Sequence, residues 1–261
     1  MDQQAYSLVT GASSGIGECF ARALAARGRN LVLVARSGDR LARLGEELKQ
    51  RHGVQVEHEA MDLGETGAAA RLSGALRERG LEIDLLVNNA GFGAQGRFWT
   101  IPIERQAHML RLNIQALVEL CYLLLPPMVD KRRGGIINVS STASFQALPY
   151  TSAYAATKAF VTSFSMGLTE ELRPYSVRVV TLCPGTTRTN FFKAGNYAPI
   201  RFRGGFQAPE KVAEAGLRQL DRGGGLVLAR DFDKLLVFAE RFLPRTWIVR
   251  SAGQLFKGSD K

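Results

Sequence analysis

The chain has 261 residues, of which 46% are hydrophobic and 22% charged, a balance that suits one α/β domain with a sizeable core. It contains no continuous apolar run of the length a membrane span needs, and its first apolar run, from Tyr6, leaves no room for a signal peptide. The net charge of +10 raises nucleic acid or acidic lipid as partners, yet the basic residues are spread along polar helix faces with only one short run, at 131–133, so no nucleic-acid partner is expected.

In chain order, the apolar run 7–12 predicts a buried strand, and 15–28 has helical spacing that ends at Gly28. An uninterrupted β-rich run at 30–36 is a second buried strand. Residues 37–53 read as a capped helix with Asp39 near its start, 54–62 as a third strand, and the segment around 65–79 as a helix. A fourth strand at 83–91 runs into a Gly-rich turn. One or two helices follow over 102–128, broken near the Leu-Pro-Pro-Met at 125–128. Residues 134–141 form a fifth strand, 151–173 a long helix that stops before Pro174, and 176–185 a sixth strand ending at Pro-Gly.

Residues 186–209 break this rhythm, being rich in Gly, Pro and aromatics without a clear period. A long irregular segment after the C-terminal end of a strand favours a substrate lid. A helix at 209–221 and a seventh strand within 223–231 complete the alternation. Strand alternating with helix predicts a doubly wound parallel sheet of about seven strands with helices on both faces. Residues 1–230 carry this domain, and 231–261 form an amphipathic helical extension of it. In that tail Ile248, Ala252, Leu255 and Phe256 share one helical face. Packing on the body or on a partner subunit is the simpler reading. The basic residues Arg241, Arg245, Arg250 and Lys257 also suit a weak membrane-surface contact.

Cys19, Cys121 and Cys183 are odd in number and far apart, and His52, His58 and His108 are scattered. Neither set has metal or disulfide spacing, which points to a reduced, cytoplasmic setting with no metal.

The chemistry is concentrated at the predicted C-terminal strand ends. The turn TGASSGIG at 10–17 sits between the first strand and first helix. Gly11, Gly15 and Gly17 allow a tight turn and close approach to a pyrophosphate, with the following helix N-terminus offering free N–H groups. The second strand ends at Arg36, with Arg40 nearby and no acid at 35–38. An arginine at this position pairs with the 2′-phosphate of NADP, whereas NAD requires an acid, so NADP is favoured over NAD. Asp62 can accept from an adenine amino group, or cap the helix that follows. In NNAG at 88–91, Asn88 can tie neighbouring strands together and Gly91 lets the backbone pass close to a cofactor. Asn113 sits mid-helix, where Asn is a poor helix former. Ser140 and Ser141 end the fifth strand, and Tyr154 and Lys158 stand one helical turn apart in SAYAATKAF at 152–160.

These motifs in this order, over about residues 6–230, resemble the single-domain short-chain dehydrogenases/reductases. The resemblance implies a Rossmann-type fold, a nicotinamide cofactor and an active site of Asn113, Ser141, Tyr154 and Lys158. Tyr154 would be the general acid/base, its phenol lowered by Lys158, and Lys158 would also hold the nicotinamide ribose. Ser141 would bind the substrate oxygen, leaving Ser140 structural. Asn113 would place a relay water. Cofactor contacts would come from Gly11, Ser13, Ser14, Gly15, Ile16, Gly17, Arg36, Arg40, Asp62, Leu63, Asn89, Ala90, Gly91, Tyr154, Lys158, Pro184, Gly185, Thr187 and Thr189. A homodimer or homotetramer is expected on the same analogy, helped by the small residues Ala153, Ala155, Ala156 and Ala159. Phe92, Phe98, Trp99, Phe145, Phe191, Phe192 and Tyr197 suggest an apolar pocket and hence an apolar carbonyl or alcohol substrate. The competing reading is a dinucleotide-binding sensor or scaffold with little turnover.

Overall fold

The computed structural model describes residues 5–195, 197 and 205–257. Seven strands form one all-parallel sheet in the order β3-β2-β1-β4-β5-β6-β7. They are β1 (Tyr6–Thr10), β2 (Asn30–Ala35), β3 (Val56–Ala60), β4 (Ile83–Asn88), β5 (Gly134–Val139), β6 (Val177–Cys183) and β7 (Gly225–Leu228). Strand order reverses between β1 and β4, and the crevice beyond the carboxyl ends at such a reversal is where open α/β sheets bind ligands.

The alternating pleat divides the core into two layers. Leu8, Val32, Val34, Leu86, Ile136 and Val179 face one side, beneath α3 (Ala68–Glu78), α5 (Ala116–Asp130) and α6 (Ser152–Leu172). Val9, Leu31, Leu33, Val87, Ile137 and Val180 face the other, beneath α1 (Gly15–Ala26), α2 (Gly38–His52) and α8 (Pro209–Asp221). Central strands buried on both faces cannot alternate polar and apolar residues, which is why they read as unbroken apolar runs. Asn88 does tie strands together: its amide donates to Asn138 Oδ1 across β4–β5 at 2.9 Å, and Asn138 donates on to Ser165 Oγ at 2.9 Å.

The region predicted to break at its prolines behaves differently. From Ile103 to Asp130 the chain is helical throughout: α4 (Ile103–Leu110), a π-helical stretch at Arg111–Gln115, then α5. Pro126 and Pro127 lie inside α5 on its exposed side, where the freed carbonyls cost least. The irregularity falls instead at Asn113. By length and composition this helix is also long and apolar enough to cross a membrane, with a mean hydropathy of 1.5 over an 18-residue window, although charged residues interrupt it. Ala116, Leu117, Leu120, Cys121, Leu124 and Met128 bury one side of it in the core.

Of the predicted lid, residues 196 and 198–204 lie outside the described residues. What is described of it includes α7 (Phe191–Ala194) and a parallel bridge between Thr187 and Gln207. The tail forms α9 (Asp231–Glu240) and α10 (Arg245–Phe256). Of the predicted α10 face, Phe256 is buried and Ile248 and Ala252 are half-buried, but Leu255 is exposed.

Candidate active site

The loops at the carboxyl end of the sheet enclose a cavity of about 970 Å³. The Gly-rich turn forms one wall. Gly11 and Gly15 have φ of +66° and +61°, a backbone region that side chains other than glycine's rarely enter. Ser13, Ser14, Gly15 and Ile16 line the cavity, and Ser14 at the N-cap of α1 makes no side-chain capping bond. The first N–H groups of α1 therefore keep their donors for a ligand. Gly17 lies behind this wall rather than in it: a Cβ there would strike Gly11 O and come within 2.5 Å of Asn89 Nδ2. Asn89 in turn donates its amide to Thr10 O at 2.9 Å, so it holds the turn in shape as well as lining the cavity.

Arg36, Ser37 and Arg40 line the end of the cavity beyond β2. The Arg36 side chain is 76% exposed, with Nη1 3.9 Å from Asp62 Oδ2. Asp62, Leu63, Ala90 and Gly91 form the adjoining wall. Asp62 accepts from Gly64 N at 2.9 Å, closing a local turn; it does not cap α3, whose N-cap is Gly67.

The predicted catalytic residues occupy the centre. Ser141 and Tyr154 both line the cavity, and Ser141 Oγ accepts from Ala143 N at 3.1 Å. Lys158, on the next turn of α6, donates Nζ to Val139 O at 2.8 Å and lies 5.9 Å from the centre of the Tyr154 ring. Ser140 points away: its Oγ donates to Lys158 O at 2.8 Å and lies 2.7 Å from Thr162 Oγ1, which makes it structural. The electrostatics run opposite to the sequence expectation for Tyr154. Burial raises the phenol above its ordinary 10, Tyr197 adds to the rise, and only the nearby Ser141 hydroxyl opposes it. Burial also pushes the Lys158 ammonium down, to about 8.

Asn113 is 1% exposed and does not line the cavity. It accepts from Phe92 N at 3.1 Å and donates to Phe92 O at 2.9 Å and Thr157 Oγ1 at 3.1 Å. Its amide thus ties the Phe92 backbone to Thr157. It clamps the Gly91–Phe92 backbone beside Lys158: a Cβ on Gly91 would stand 2.9 Å from Asn113 Oδ1 and 3.6 Å from Lys158 Nζ.

Pro184, Gly185, Thr187 and Thr189 line the remaining wall. Thr187 Oγ1 donates to Gly185 O at 2.9 Å, and Thr189 Oγ1 accepts from Phe191 N at 3.3 Å. Of the predicted pocket aromatics, Phe92, Phe191, Phe192 and Tyr197 line the cavity. Phe191 lies tilted against the Tyr154 ring, with centroids 5.3 Å apart, and Tyr197 OH lies 3.1 Å from Thr151 Oγ1. Phe98 and Trp99 are 62% and 78% exposed and border a separate groove, and Phe145 lines neither.

Sequence reasoning did not find the contribution of the tail. Phe232, Asp233 and Leu236 of α9 and Leu255 and Phe256 of α10 all line the cavity. Asp233, 3% exposed, is held by Arg230 through bonds of 3.0 and 2.7 Å and packs against Gly185. Gln95 Nε2 donates to Phe256 O at 2.8 Å and fixes the other end. The tail's apolar stripe was the available signal, but a stripe does not say which surface it meets.

The shape fits a dinucleotide. An uncapped helix N-terminus, a glycine turn without Cβ obstruction, and the Ser141–Tyr154–Lys158 group share one continuous cavity. Among the described residues no group of His, Cys, Asp and Glu is placed to hold a metal.

The comparisons with known proteins agree with this geometry. A family model described as short chain dehydrogenase matches residues 6–198. A very-long-chain 3-oxoacyl-CoA reductase of Anas platyrhynchos is 33% identical over 72% of this chain and 62% of its own length. The human protein of that name is 32% identical, over 75% and 62%. The chain thus spans under two thirds of the length of these curated relatives. Among solved structures, a short-chain dehydrogenase from Sphingobium yanoikuyae in complex with NADPH superposes with a TM-score of 0.81 at 32% identity, covering 91% of this chain and 94% of that one. The bulky-bulky ketone specific alcohol dehydrogenase from Comamonas testosteroni does so with 0.77 at 31%, covering 87% and 86%. With its sheet order, its glycine turn and its Ser–Tyr–Lys cluster, this chain belongs to the short-chain dehydrogenase family of oxidoreductases.

Proposed function

We propose that the chain is an NADP-dependent reductase of a carbonyl on a bulky apolar molecule, with Tyr154 as general acid. The observation that carries this is the convergence of Ser141, Tyr154 and Lys158 on one cavity with the glycine turn. A nicotinamide dinucleotide bound along the turn supplies the hydride. Ser141 and Tyr154 then hold the carbonyl oxygen between two hydroxyls, where charge develops. Tyr154, protonated at neutral pH and held further towards the neutral phenol by burial, gives that oxygen its proton. Lys158, pushed down to about 8, restores the proton to Tyr154 in turn.

Arg36 and Arg40, with no acid at 35–38, support the 2′-phosphate of NADP at the far end. Phe191, Phe192, Tyr197, Phe232, Leu236 and Phe256 form the apolar wall that selects the substrate. The relatives are named for 3-oxoacyl-CoA and bulky ketones, and a long 3-oxoacyl thioester or a polycyclic ketone suits such a wall. A homodimer or homotetramer in a reducing, cytoplasmic setting accords with three free thiols and with the exposed Phe160 and Met166 on α6.

The test is fluorescence titration with NADPH and NADH, followed by nucleotide oxidation with 3-oxoacyl thioesters and bulky ketones. Tyr154→Phe should keep NADPH affinity and lose roughly 10²–10⁴-fold in turnover, the usual contribution of a positioned proton donor. Unchanged turnover in that variant would remove Tyr154 from the role. Tight NADPH binding without turnover on any of these carbonyls would favour a dinucleotide-binding sensor or scaffold.

A further inference from the structure

The two tail helices have an inner face that lines the cavity and an outer face left exposed among the described residues. On the outer face Leu235, Phe238 and Phe242 follow at i, i+3 and i+7, and they are 66%, 57% and 72% exposed. The Phe238 and Phe242 rings lie 5.2 Å apart. Leu243 and Trp247, 51% and 64% exposed, continue the patch through the turn into α10.

The charges around this patch are of one sign. Arg241, Arg245, Arg250 and Lys257 are exposed, and none makes an ion pair among the described residues. The acids of the tail are spent inward or locally. Asp233 is buried against Arg230, Asp231 pairs with Lys234 at 2.8 Å, and Glu240 is half-buried with one carboxyl oxygen out of reach of solvent.

We propose that α9, α10 and the turn between them are a docking face for an anionic lipid surface. Exposed apolar side chains, with cations on the same two helices and their connecting turn that make no ion pair among the described residues, bind such a surface by burying area among the acyl chains and by attraction to the headgroups. A second copy of this chain is the weaker occupant, because a two-fold contact would set the same four cations against one another. Phe232, Leu236 and Leu255 are part-exposed and also line the cavity, so the docked face is continuous with the cavity mouth. Passage of an apolar substrate from lipid into the cavity rests on the reductase reading; the docking itself does not.

The test is co-sedimentation of the full chain with vesicles of phosphatidylcholine alone or mixed equally with phosphatidylglycerol, with no ketone present. A Trp99→Phe background makes Trp247 the sole tryptophan reporter. Binding to the mixed vesicles is expected to exceed that to neutral ones by about tenfold or more at low salt, with a blue shift of Trp247 emission. Arg241→Gln with Arg245→Gln should erase that preference. Leu235→Ser with Phe238→Ser and Phe242→Ser should abolish binding while leaving NADPH affinity intact. The proposal is overturned by a chain that stays in the supernatant, or by equal binding to both vesicles. It is also overturned if the serine variant lowers the oligomeric mass in light scattering, which would give the face to a second copy.

Discussion

Lys158 is an ammonium taken out of water and given one carbonyl in return, Val139 O. Burial pushes it to about 8, while a lysine in the unfolded chain titrates near 10.5. Between those values the unfolded chain holds a proton that the folded chain has released, so stability rises with pH across the window and the full penalty stands below it. The unfolding free energy of the protein relative to Lys158→Met should therefore increase from pH 8 to about pH 10, with a slope of up to ~1.4 kcal/mol per unit. Urea unfolding of both proteins across that range checks it, and a flat difference would show that Lys158 is not held below its ordinary value. Such a lysine costs stability. Arg36 poses the opposite case, an exposed charge whose only ion-pair partner among the described residues is the distant Asp62. Charge-assisted bonds to a phosphate contribute about 1.5–3 kcal/mol. Arg36→Asp should accordingly shift the NADPH/NADH affinity ratio roughly ten- to a hundredfold towards NADH, and an unchanged ratio in the titration would refute the phosphate assignment.

At the scale of elements, the π-helical stretch Arg111–Gln115 shows where local reading of the chain stops working. Two consecutive prolines outweigh one asparagine in any local propensity, which placed the break at 125–128. The structure accommodates the prolines on an exposed side and spends its irregularity at Asn113. What fixes that position is long-range: Phe92, 21 residues earlier, and Thr157, 44 later, take the amide. Strands, by contrast, were legible because burial on both faces is written into each as an apolar run, and the glycine turn because its φ values demand glycine. Asn113→Ala would leave the N–H and C=O of Phe92 unpaired, at roughly 1–3 kcal/mol for each group kept from water. The urea midpoint should fall by the equivalent of about 3 kcal/mol. NADPH affinity should fall with it, since Gly91 and Phe92 line the cavity. A loss of turnover with midpoint and affinity unchanged would instead return Asn113 to a direct part in the chemistry.

At the scale of the whole molecule, the cavity is closed by the end of the chain returning to its middle. Gly185 receives Asp233, Gln95 receives the carbonyl of Phe256, and Pro149 lies against Gly253. No local pattern encodes such contacts, because each depends on where a distant loop has already been placed. The sheet carries the Ser141, Tyr154 and Lys158 wall of the cavity, and the tail provides another part of its lining. The two functions should then separate by mutation. Leu236→Ala with Phe256→Ala removes apolar surface from the wall and replaces no residue of the glycine turn or of the Ser141, Tyr154 and Lys158 group. Burial of a side chain of this size contributes about 1.5–3 kcal/mol, so KM for a bulky ketone should rise tenfold or more. NADPH affinity and the rate with a small ketone should stay near those of the wild type. Leu235→Ala, one residue along the same helix but facing outward, should change none of the three in detergent-free buffer. Steady-state kinetics with a small and a bulky ketone on all three proteins decide the matter. If both ketones lose equally in the double variant, the tail acts by bracing Gly185 and the active site. If only the bulky one loses, specificity resides in helices that lie outside the 6–198 segment by which the family is recognised.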